Sequence, residues 1–261
     1  SSLRAMRSLG PDLPSLEPLQ TWTQNDSRAR RVEAMTRTLQ HQLAETHAAA
    51  LEQTMATGGT TVDVDTLDRA LWKALKPARA LTGRTPRRKR RVATKSRARA
   101  AGVYEELLAK AEARDNAASK RGRYRCLLRL GDLRRYGGDA KRATAWYERA
   151  RRAEPGRGEA ENGLGAVAQA TGRPVTAAYL YWRGSRAARP FRPAARNFKA
   201  MIEILRGRAD DEAASTVVLA FDGDAAAASA RLADLRARKA LSAARLAECE
   251  ALLEHAARRM Q

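Results

Sequence analysis

Apolar residues recur along this chain at intervals of three and four, the spacing that lines one face of an α-helix. The first such stripe runs Val32, Met35, Leu39, Leu43, Thr46, Ala50, with Asp26 or Ser27 placed to cap its start and Gly58-Gly59 to end it. A second follows the possible caps Asp63 and Asp65, with Leu67, Leu71, Leu75 and Ala78 on one face; Pro77 is expected to kink or end it, and Gly83 closes the segment. A third helix is expected over Val103–Ala113. Later come a helix over Pro193–Arg206, an acidic turn at Asp210–Glu212 and a short apolar stretch at Val217–Phe221. The alanine-rich segment Ala225–Met260 reads as one long helix or a helical hairpin, with the seam Leu246, Cys249, Leu253, Ala256, Met260. No segment of useful length alternates with period two, so the fold class is all-α.

Between these helices the sequence repeats itself with a shift of 34 residues. Leu130, Gly131, Gly138, Ala143, Tyr147, Ala150 and Pro155 are matched by Leu164, Gly165, Gly172, Ala177, Tyr181 and Gly184, with Pro190 one place late. That period and order are the signature of tetratricopeptide helix–turn–helix hairpins, in which small residues let paired helices touch and an aromatic fills the gap. Such hairpins cannot bury their faces alone, so they imply a larger helical array. The expected organisation is an extended lead-in over 1–25, a helical domain over 26–208 with a basic linker at 84–100, and a C-terminal helical extension over 209–261.

Charge narrows the partners. Fifty Lys and Arg against 29 Asp and Glu give a net charge of +21, which suits a polyanion: nucleic acid, an anionic surface or a phosphorylated protein. A GC-rich coding bias toward Arg and Ala is the plainer source of a general excess. It accounts less well for the cluster Arg87, Arg88, Lys89, Arg90, Arg91, which reads either as a nucleic-acid or nuclear-localisation patch or as a solvated linker. Cys126 and Cys249 sit far apart in apolar patterns and read as reduced thiols of an intracellular protein, cytoplasmic or nuclear. No apolar run approaches a membrane span. No nucleophile, phosphate-loop or metal-ligand motif stands out, so no enzyme activity, catalytic residue, metal or cofactor is expected.

The first repeat departs from its pattern where chemistry could enter. Three residues after Gly131, where a large packing aromatic is expected, stands Arg134, followed by Arg135 and Tyr136. Guanidinium forks bind phosphate bidentately, and a neighbouring tyrosine hydroxyl can complete the cradle. The competing reading is ordinary salt bridging to Asp132 or Asp139.

Read together and in order, Leu71-Trp72, Tyr104-Glu105-Glu106-Leu107-Leu108, Leu130-Gly131-Asp132-Leu133-Arg134-Arg135-Tyr136, Trp146-Tyr147-Glu148-Arg149-Ala150, Glu161-Asn162-Gly163-Leu164 and Ala178-Tyr179-Leu180-Tyr181-Trp182-Arg183 with Pro190-Phe191 resemble the 14-3-3-like tetratricopeptide domain of the SMG and Est family. The resemblance implies a 14-3-3-like helical array whose basic groove binds phosphoserine or phosphothreonine. It implies a role as an adaptor of nonsense-mediated mRNA decay that binds the phosphorylated RNA helicase of that pathway. Arg135 and Tyr136 fall where the family contacts phosphate, Lys73 or Lys76 stands nearest its lysine, with Pro77 at the matching place, and Asn162 stands where a peptide backbone is held. Two alternatives come with it: a telomerase-associated subunit binding single-stranded DNA or RNA, and a scaffold that pairs with a paralogous adaptor.

Overall fold

A computed structural model describes residues 26–75, 87–208 and 211–260. These are helical almost throughout: α1 (Asp26–Thr57), α2 (Thr61–Leu75), α3 (Arg87–Glu112), α4 (Ala117–Tyr136), α5 (Ala140–Ala153), α6 (Gly158–Ala170), α7 (Pro174–Arg186), α8 (Arg192–Arg206), α9 (Glu212–Phe221), α10 (Ala225–Ala237) and α11 (Ala243–Met260). Among the described residues there is no strand, only one isolated bridge between Arg157 and Arg189. The all-α expectation is met. Contacts divide the chain into two units, 1–126 and 127–261, the division falling inside α4. The lead-in 1–25, together with Lys76, Pro77, Ala78, Gly83 and Arg84, lies outside the described residues.

In the first unit α1 and α2 form an antiparallel pair. The second helix does not open on Asp63 or Asp65. Its start is capped by Thr60, whose Oγ1 accepts from the Asp63 N–H at 3.2 Å while its hydroxyl donates to Asp63 Oδ2 at 2.8 Å. Asp65 is thereby free to turn toward α4, where Arg121 grips it through Nε at 2.7 Å and Nη2 at 2.8 Å. One turn on, the wholly buried Asp68 accepts from Arg125 Nε at 2.8 Å and from the Tyr104 hydroxyl at 3.1 Å. Two carboxylates of α2 are thus matched to two guanidiniums of α4; Asp68 and Arg121 are buried, Asp65 and Arg125 partly so.

Two expectations for this unit need correction. The α1 stripe does not face the core: Met35, Leu39 and Leu43 are 65%, 37% and 41% exposed, while Ala44, Leu51 and Met55 are buried. The register of α1 is set by close packing elsewhere, since Met55 lies where a Cβ on Gly122 would stand, 2.1 Å from the methionine sulfur. The basic linker is not a linker either. From Arg87 onward it forms the opening turns of α3, which continues into the buried Tyr104, Leu107, Leu108 and Ala111.

The second unit follows the repeat. Gly131 and Gly165, equivalent positions 34 apart, receive the rings of Tyr147 and Tyr181; a Cβ would stand 2.6 and 2.8 Å from the ring atoms. Gly138 and Gly172 turn each hairpin with φ of +81° and +72°, a left-handed conformation that disfavours residues with a Cβ. Ala143, Ala177, Ala150 and Gly184 are buried at the helix crossings. Beyond the repeats, α8, α9 and α11 pack on α7 around Phe198, Met201, Leu205, Val217 and Leu252. Val217–Phe221 belongs to a helix, and the alanine-rich tail is a hairpin that turns at Lys239, with Asp224 capping α10 through the Ala227 N–H. Cys126 and Cys249 are buried and unbridged, and burial pushes the Cys249 thiol up to about 12. Among the described residues no helix is long and apolar enough to cross a membrane.

Candidate functional site

The motif Gly131-Asp132-x-x-Arg135-Tyr136 ends α4, and what it holds is the aromatic plug of the first repeat. Tyr147 projects from α5 with its ring pinched between Gly131 and Gly163, the latter leaving only 2.5 Å to a Cβ. This seats the phenol against the last turn of α4. There its hydroxyl donates to Asp132 Oδ1 at 2.7 Å and accepts from Arg135 Nε at 3.1 Å. Arg135 Nη2 donates to the same carboxylate oxygen at 2.9 Å, closing a three-membered network. Arg129 stands 3.9 Å from the other oxygen of Asp132.

Electrostatics fix the protonation of the group. Burial, and then the Asp132 carboxylate, raise the Tyr147 phenol above its ordinary range, so it stays a neutral donor. Burial opposes the charge on Arg135, but Tyr147 and Asp132 outweigh it and the guanidinium stays cationic. Arg135 is 28% exposed, and its guanidinium lies 4.7 Å from the Tyr136 ring centroid. Its Nη1 makes no hydrogen bond among the described residues.

The repeat clarifies why an arginine stands here. Shifted by 34 residues, Arg135 becomes Gln169, which accepts a hydrogen bond from the Tyr181 hydroxyl at 2.9 Å. Both copies therefore use this position to anchor the plug tyrosine, and the salt bridge to Asp132 foreseen as the alternative to phosphate binding is formed. Asp139 serves otherwise, capping α5 through the Arg142 N–H at 3.0 Å.

The other candidates are placed as follows. Arg134 is half-buried on α4, and its repeat counterpart Ala168 is buried. Asn162, on α6, accepts from Asn197 Nδ2 at 2.8 Å. Lys73 is exposed in the last turn of α2, in the first unit, and Lys76 lies outside the described residues. Arg90 and Arg91 are exposed on α3; Arg87, Arg88 and Lys89 belong to that helix. Arg183, together with Arg151, faces the buried Glu161, at 2.9 and 3.8 Å. Burial raises the Glu161 carboxyl, and these two arginines only partly offset it; its Oε2 finds no hydrogen bond among the described residues. Sequence reading missed Glu161, Arg151, Arg129 and the tyrosine hydroxyl. The one available signal was the repeat itself, which aligns Arg135 with a polar residue in the second copy.

Comparison with protein-family models and with curated protein sequences finds no match. Among solved structures the chain is similar to one in the C. elegans SMG5-SMG7 complex, with a TM-score of 0.55 and 16% identity, over 89% of this chain. It spans 65% of that chain's length. The likeness is one of fold, and it joins the helical order described above to an SMG-type 14-3-3-like array.

Proposed function

We propose that this chain is a phosphoprotein-binding adaptor module that recognises phosphoserine or phosphothreonine, its partner being the phosphorylated RNA helicase of nonsense-mediated mRNA decay. The observation that carries this reading is the setting of Arg135. Asp132 and Tyr147 hold its Nε and Nη2, so the guanidinium plane is fixed while Nη1 is left over for an anion. A pre-oriented fork loses little entropy on binding a phosphate oxygen. Tyr136 lies beside it, and the SMG-type fold supplies the context.

The test is fluorescence titration of the chain with phosphorylated and unphosphorylated serine peptides drawn from such a helicase. The phosphorylated form is expected to bind more tightly, and Arg135→Gln to weaken it about 10- to 100-fold, the worth of a hydrogen bond to a charged group. Equal affinity for both peptides would overturn the reading.

A second reading, pairing with a paralogous adaptor, is favoured by the line Met35, Leu39, Leu43, three apolar side chains one turn apart and open to solvent on α1. Light scattering of the chain mixed with a paralogue should give a heterodimer that Leu39→Glu abolishes. Persistence of the heterodimer in that variant excludes this face.

A further inference from the structure

Helix α3 joins two unlike halves. From Ala100 onward it is an ordinary amphipathic helix, burying Tyr104, Leu107, Leu108 and Ala111 and tying Lys110 to Glu52 at 2.6 Å. Its first half, Arg87–Arg99, carries eight Lys and Arg and no carboxylate. Of residues 90–99 only Ala93 is buried, so packing contributes little there.

Two effects oppose a helix in that half. The positive end of the helix dipole meets no acidic residue in the first turn. Arg91, Lys95 and Arg99 also succeed one another at i, i+4 and i+8, where like charges repel. Arg91 and Lys95 are exposed and make no ion pair or hydrogen bond among the described residues, and Arg99 meets His41, not a carboxylate.

We propose that the first half of α3 is a binding site for the phosphate backbone of nucleic acid, and that the bound charge stabilises the helix that binds it. The rail is about 20 Å long, the length over which one duplex strand sets out about six phosphates. No aromatic side chain stands on it to stack bases, so recognition is of backbone and not of sequence. An anionic membrane fits less well. Amphipathic membrane helices present a broad apolar face of their own, whereas the large exposed apolar residue on this half of α3 is Val92 alone among those described. An acidic protein segment would likewise want apolar anchors between its charges. The site is separate from Arg135 and does not depend on phosphopeptide binding.

The test is fluorescence anisotropy of the full chain with a labelled 20-nucleotide oligouridine and a 20-base-pair DNA duplex, titrated over potassium chloride. Log affinity should fall linearly with log salt. Arg91→Gln combined with Lys95→Gln should reduce that slope by about 1.4 on the single strand and about 1.8 on the duplex. Both substitutions remove repulsion and leave Ala93 in place, so the fold is retained. A control pair, Lys239→Gln with Arg258→Gln, should leave the slopes unchanged. Circular dichroism should show helicity rising when oligouridine is added to the parent chain and not to the α3 variant. Equal slopes in the parent and the α3 variant would overturn the proposal. So would an equal fall in both pairs, or binding confined to phosphatidylserine vesicles or a polyglutamate peptide.

Discussion

Asp68→Ala is expected to cost about 3–5 kcal/mol of stability, the loss associated with leaving one member of a buried ion pair behind. Asp68 is wholly buried on α2 and satisfies two groups at once, Arg125 from α4 and the Tyr104 hydroxyl from α3. Without it Arg125, only 12% exposed, loses a direct carboxylate contact, and the Asp65 oxygen 3.7 Å away is already gripped by Arg121. A buried guanidinium cannot shed its proton to escape the cost. Asp68→Asn should cost less, since the amide oxygen can still accept from one of the two donors. Urea denaturation supplies the magnitude, and hydrogen exchange in Thr61–Leu75 locates it, because the loss should appear first where α2 is tied to α4. A cost below about 1 kcal/mol for alanine would place this pair with solvated surface bridges.

That network also marks where sequence reading ran short. The second unit was legible because its rule is local and repeats: the spacing that put Gly131 with Tyr147 predicted Gly165 with Tyr181, and the crossings form as expected. The first unit obeys contacts between residues more than fifty positions apart. Asp65 with Arg121 and Asp68 with Arg125 leave no periodic trace, and Asp65 looked like a cap. The stripe on α1 is its most hydrophobic line, but the helix is rotated by where Met55 meets Gly122, so that line faces out. A run of five cations read equally well as linker or patch. Propensity favours helix for Lys and Arg, and the Tyr104–Leu108 half of α3 extends that helix backward through them. Arg135 stands out in the sequence for its charge, yet its position is fixed by the plug tyrosine it anchors, a role visible only in the structure, where Gln169 does the same.

Because the anchor and the candidate phosphate ligand are one residue, packing around Tyr147 should control binding. Gly163→Ala is expected to destabilise by about 1–3 kcal/mol, the usual cost of overpacking. On propensity alone the change should stabilise α6, since alanine is the better helix former by about 1 kcal/mol. Space decides the sign: the new methyl would stand 2.5 Å from the ring, and Gly131 packs against the same ring so closely that a Cβ there would stand at 2.6 Å. Tyr147 must shift, and with it the hydroxyl that orients Arg135, so phosphopeptide affinity should fall as well. Gly165→Ala is the matched perturbation, crowding Tyr181 at 2.8 Å in the second copy, where the hydroxyl is held by Gln169. It should lower stability comparably and leave phosphopeptide affinity near that of the parent. Urea denaturation and peptide titration on both variants separate the two effects. If both glycine variants weaken binding alike, the loss is global softening, and Arg135 is an anchor of the fold and no reader of phosphate.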